Sequence, residues 1–98
     1  MNKFGLSEQT YKLIKDLLSS YSEIENVKIF GSRAKGNYKP YSDIDLVCFG
    51  ENITEKLLLH IAAELDELST PYKFDLVDYK TISNKNFKAD IDKYCLNF

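Results

Sequence analysis

Ninety-eight residues, 44% of them hydrophobic and with seven Tyr and six Phe, can build one core but leave little chain to enclose a deep substrate pocket. Thirteen Lys and Arg against fifteen Asp and Glu give a net charge of -2, which argues against a protein whose main task is coating nucleic acid. The two cysteines, Cys48 and Cys95, form neither a disulfide framework nor a metal-ligand pair.

Ser7, followed by Glu8 and Gln9, is a helix start, and Tyr11, Ile14, Leu17, Leu18 and Tyr21 recur at helical spacing, so a helix is expected over about 7–20. VKIF (27–30) reads as a short strand ending at Gly31. Residues 33–36 suit a helical turn, and GNYKPYS is loop, broken by Pro40. DIDLVCF (43–49) is a second strand, in which Cys48 has the setting of a buried, inert thiol. Thr54 can cap a second long helix over about 55–68, with Leu58, Ile61, Leu65 and Leu68 as its buried stripe. After Pro71 comes a third strand, YKFDLVDY (72–79), and Phe87, Ile91 and Tyr94 are spaced as a terminal helix. The α-β-β-α-β-α order predicts one α/β domain over 1–98, a small sheet with helices packed on it. The opening MNKFGLSEQT holds no apolar signal-type core and no run approaches about 20 apolar residues, so a cytoplasmic protein with no membrane partner is expected.

The chemistry concentrates in IFGSRAKGNYKPYSDIDLVCF (29–49). Side chains alternate along a strand, so Asp43 and Asp45 share a face, roughly 6–7 Å apart, while Ile44, Leu46 and Cys48 point to the core. Like charges side by side repel, and a divalent cation resolves the conflict, with hard oxygen donors that suit Mg²⁺. A lone Asp-x-Asp has a plainer reading as solvated surface, but FDLVD places Asp75 in a second apolar strand. If the strands are neighbours, three carboxylates make a site for two cations about 3.5–4 Å apart. Asp78, three residues on, faces away from Asp75 and reads as a solvated residue near the strand end.

Gly31 allows φ > 0 and close backbone approach to an anion. Ser32 adds a hydroxyl where a helix N-terminus begins, and Arg33 and Lys35 add positive charge. Gly31-Ser32, ten residues, then Asp43-x-Asp45 resembles the G-S-x10-D-x-D signature of the DNA polymerase beta-like nucleotidyltransferase superfamily. FGSRAKGNYKPYSDIDL is most similar to its smallest members, the minimal nucleotidyltransferases (MNT), whose third acid falls at Asp75.

That resemblance implies an α/β palm with a short mixed sheet. It implies that Asp43 and Asp45 bridge two Mg²⁺ ions, and that Asp75 binds the ion beside the acceptor and activates the attacking hydroxyl. Gly31 and Ser32 would hold the β- and γ-phosphates of a nucleoside triphosphate, with Arg33 as a charge-neutralising helper. The reaction implied is transfer of a nucleoside monophosphate, AMP from ATP, to a hydroxyl. MNT proteins pair with HEPN-type helical proteins, as antitoxins that modify a toxin tyrosine, so assembly with a partner or with itself is part of the expectation. Two other readings stay open: a nucleotide-binding module that neutralises a partner without catalysis, and transfer to a small molecule such as an aminoglycoside. Elsewhere, His60 reads as a structural or surface residue, Tyr38 and Tyr41 lie in the site loop where a nucleotide or partner could meet them, and Leu57-Leu58-Leu59 widens the second helix's apolar face toward an interface.

Overall fold

The structure, a computed structural model, describes residues 2–98. Helix α1 spans Glu8–Ser19 and starts where the Ser7 hydroxyl accepts the Thr10 N–H at 3.1 Å. Strand β1 (Asn26–Phe30) leads through Gly31 into a single helical turn, α2 (Ser32–Lys35). Strand β2 covers Ile44–Phe49, and helix α3 (Glu55–Asp66) is capped by Thr54, whose hydroxyl accepts the Leu57 N–H at 3.1 Å. Strand β3 (Phe74–Asp78) runs into a 3-10 turn at Tyr79–Thr81, and helix α4 (Lys85–Tyr94) is followed by the two-residue strand β4, Leu96–Asn97. The two long helices, the terminal helix and three strands therefore fall where the sequence patterns put them. The 3-10 turn and β4 are additions.

The sheet order is β3-β2-β1-β4, with β2 and β3 parallel and the other pairs antiparallel, which makes it a mixed sheet. One face carries the main core. Ile29, Ile44, Leu46 and Cys48 are fully buried there against Ile14 of α1 and Ile61 and Leu65 of α3. The opposite face is divided. Phe30 and Val47 are buried under Ile91 of α4, whereas the end of β2 that carries Asp45 is left uncovered by that helix. Of Phe87, Ile91 and Tyr94, whose spacing marked the terminal helix, only Ile91 is buried, and Phe87 and Tyr94 are partly exposed. At the start of β2 and β3, strand ends and the polar residues Asp43, Lys73 and Asp75 meet solvent.

Candidate active site

Gly31 sits at φ 72°, ψ −153°, a conformation that side chains other than glycine's rarely adopt. A Cβ there would come within 2.3 Å of Asp45 Oδ2. The residue is thus glycine for two reasons, backbone geometry and the carboxylate pressed against it. The turn that follows leaves its first N–H groups free of intrahelical partners, as every helix start does, and the Gly31 carbonyl accepts from Ala34 and Lys35.

The carboxylates come together through sheet register. Asp45 lies directly opposite Asp75 on the parallel neighbour, so both project from one face of strands about 4.8 Å apart. Asp43 precedes β2 by one residue and is exposed, as Asp75 is, while Asp45 is half-buried. Asp45 has its pKa raised to about 6, first by burial, then by the charges of Asp75 and Asp43, with Arg33 opposing. Burial first and the neighbouring charges second thus favour the protonated form of this one carboxylate, the pattern that marks a candidate site.

Arg33 departs from the expected role. Its side chain is 1% exposed and turned away from solvent. Nη1 donates to Phe4 O at 2.8 Å, Nη2 to Ser42 O at 2.9 Å and Pro40 O at 3.3 Å, and Nε to Ser42 O at 3.2 Å. The guanidinium lies between the rings of Tyr38 and Tyr72, 5.0 and 4.8 Å from their centroids. Its donors are committed to carbonyls, so it fastens the loop that delivers Asp43 instead of reaching a phosphate. Tyr38 is likewise packed, against Arg33 and the backbone of Gly5, whereas Tyr41 is free in solvent.

Asp78 also differs from expectation. It does turn to the face opposite Asp75, but it is 7% exposed, not solvated. Its carboxylate accepts from Lys80 Nζ at 2.7 Å and from the Lys80 N–H, and the same ammonium donates to Ile53 O at 2.6 Å. The cause is local: the lysine two residues downstream folds back through the 3-10 turn and neutralises it. Cys48 is buried with its thiol pushed up to about 12 by burial and by Asp78, which fits an inert core residue. His60 is exposed and stands 3.3 Å from Glu64 on the outside of α3.

The donors present are hard carboxylate oxygens, the chemistry that suits Mg²⁺, an ion held by one or two carboxylates together with phosphate and water. The repulsion from Asp75 and Asp43, which adds to burial in raising the Asp45 pKa, is what a cation would relieve. Among the described residues no three such side chains already converge as a ligand cage. The charge coupling among Asp43, Asp45 and Asp75 is the better guide to the site, because carboxylate rotamers adjust on binding while strand register does not. Asp43, Asp45 and Asp75 are the carboxylates that could take up such an ion, and as they stand they form no closed cage.

Three comparisons bear on this arrangement. The family profile "Polymerase beta, Nucleotidyltransferase" matches residues 12–95. A probable protein adenylyltransferase, MntA, of Haemophilus influenzae is 32% identical over 92 residues, 93% of this chain and 80% of the relative. Among solved structures, a toxin–antitoxin structure with AMP-PNP superposes with a TM-score of 0.71 at 20% identity, covering 90% of this chain and 70% of the other. A complex of a tri-AMPylated Shewanella oneidensis HEPN toxin with an MNT antitoxin gives a TM-score of 0.64 at 18% identity, covering 90% and 66%. Fold, profile and sequence identity agree: the chain belongs to the polymerase beta-type nucleotidyltransferases, in their minimal, MntA-like branch.

Proposed function

We propose that the protein transfers AMP from ATP to a hydroxyl, a tyrosine of a HEPN-type helical partner, as the antitoxin half of a toxin–antitoxin pair in the cytoplasm. The observation that carries the reading is Asp45 in register with Asp75, with the Gly31 backbone packed on the Asp45 carboxylate. The relatives support the acceptor: one is a probable protein adenylyltransferase, and a structural neighbour is an MNT antitoxin in complex with a tri-AMPylated HEPN toxin.

In this reading Gly31 and Ser32 hold the β- and γ-phosphates through the turn's backbone N–H groups and the Ser32 hydroxyl. Asp43, Asp45 and Asp75 would hold two Mg²⁺ ions, which when bound supply charge neutralisation at the phosphates. Asp75, exposed on the outer strand, takes the proton of the approaching hydroxyl. The hydroxyl oxygen bonds to the α-phosphorus, the bond from that phosphorus to the bridging oxygen breaks, and pyrophosphate leaves with the electron pair. The protein's share is to position these groups and to exclude misaligned attack.

The test uses labelled ATP, Mg²⁺ and a purified HEPN-type protein. Label should move to the partner, and the Asp43→Ala plus Asp45→Ala variant should lose transfer by at least about 10²-fold. Undiminished labelling by that double variant would refute the reading.

A further inference from the structure

At Asp75 the site described above opens onto a groove of about 680 Å³, and the proposed catalytic roles use none of its other lining residues. Its floor is β3. Phe74 and Leu76 from one face of that strand and Asp75 and Val77 from the other all line it, so the groove follows the strand's outer edge and not either face of the sheet. Among the described residues β3 pairs with β2 alone. Ile44 N–H donates to Lys73 O at 2.9 Å, and alternation then turns the backbone N–H and C=O groups of Phe74 and Leu76 outward, into the groove. An edge of this kind is a template for one more strand.

The walls specify what could lie there. On one side stand Leu59 and Ala62 of α3; on the other, Ile82 and Phe87. Leu59 is 66% exposed and Phe87 36%, a large apolar surface for a charged helix face and a helix start to leave to water. The charged side chains of the lining are Glu55, Asp75 and the Lys80-paired Asp78, with no Lys or Arg. That excludes a polyphosphate or nucleic-acid track and favours a neutral or cationic occupant with apolar side chains.

We infer that the β3 edge groove seats the acceptor segment of the partner polypeptide as an added strand, its backbone on Phe74 and Leu76 and its hydroxyl residue at the Asp75 end. The inference rests on the proposed protein-modifying function and adds where the substrate docks. Strand addition gives main-chain affinity, and side chains at every second position would enter the apolar walls, which sets specificity without a separate substrate domain. The register also follows: a segment paired on Phe74 and Leu76 carries its residue beside Asp75 toward the carboxylate cluster.

Two measurements on the full chain with a purified HEPN-type protein test this. Leu59→Glu places a charge on an exposed wall position without touching the core. It should raise KM for the protein acceptor roughly tenfold while nucleotide affinity stays at the wild-type value. A photo-crosslinking residue at position 59 should then join to the partner within a few residues of its modified hydroxyl, whereas the same residue at Leu13, on α1, should not. Unchanged KM in the Leu59→Glu variant, or crosslinks to a distant part of the partner, to a second copy of this chain or to nothing, would overturn the inference. Absence of transfer by the wild-type chain would instead remove the functional reading beneath it, so the two failures are distinguishable.

Discussion

Asp45 carries the most informative single-residue property of the molecule. Its carboxyl titrates near 6 in the folded chain, against an ordinary value of 3.8. The folded state therefore holds this proton more tightly than the unfolded chain does. Between about pH 4 and 6 the folded protein binds more protons than the unfolded one, so this group's contribution to stability falls as pH rises through that window and stays lost above it. In metal-free buffer, Asp45→Asn should flatten this part of the pH–stability curve and make the protein more stable than wild type at pH 7. Urea midpoints from pH 4.5 to 7.5 in EDTA read it directly; parallel curves for the two proteins would show that the raised value is not coupled to folding. Such a group destabilises the protein at neutral pH, which fits the ligand-binding role proposed for Asp45.

At the scale of elements, the turn between β1 and α2 is the most constrained join. Gly31→Ala must place a methyl group at φ 72° and push it into the Asp45 carboxylate. The backbone strain costs about 1–3 kcal/mol, and displacement of Asp45 should lower transfer by on the order of 10²-fold. Thermal melts and initial rates measure the two effects separately, and a variant that melts early but reacts at the wild-type rate would show that Asp45 does not need this contact. This join, like the caps at Ser7 and Thr54, was legible in the sequence because it is local: a glycine, a hydroxyl and a period of alternation lie within a few residues. That Asp75 shares a face with Asp43 and Asp45 was legible from alternation on condition that the strands are neighbours, whereas the pairing of Asp45 with Asp75 needed the fold. What escaped the sequence is what distant segments decide. Leu96–Asn97 becomes a strand only because β1 offers an edge. Asp78 is buried only because Lys80 turns back over it. Arg33 looks like an anion ligand beside Gly31-Ser32 until the carbonyls of Phe4, Pro40 and Ser42 converge on it.

For the molecule as a whole, that convergence ties Phe4 and Phe98, far apart in sequence, to the candidate site. Phe98 is buried, stacked on Phe4 at 5.8 Å and packed on Tyr11 at 4.9 Å, with its carbonyl accepting the Tyr11 hydroxyl. Phe4 presents its carbonyl to Arg33, and Arg33 grips Ser42, the residue before Asp43. The path from the last residues to the first candidate carboxylate is therefore three contacts long, and each is either buried or charge-assisted. Phe98→Leu removes the ring packing for about 1–2 kcal/mol. Arg33→Lys keeps the charge but loses the planar fork and both ring contacts, for about 2–3 kcal/mol. If Phe98 acts by holding Phe4 for Arg33, the double variant loses less than the sum, because a lysine no longer depends on where that carbonyl sits. A double-mutant cycle in urea should give a coupling of about 0.5 kcal/mol or more. Additivity would mean that Phe98 stabilises only its own end of the core. The same cycle read in nucleotide affinity separates packing from positioning: if Phe98 only fills space, Phe98→Leu leaves that affinity unchanged, whereas a chain that transmits position to Asp43 weakens it in both single variants, and more in Arg33→Lys, which is nearer to the carboxylates.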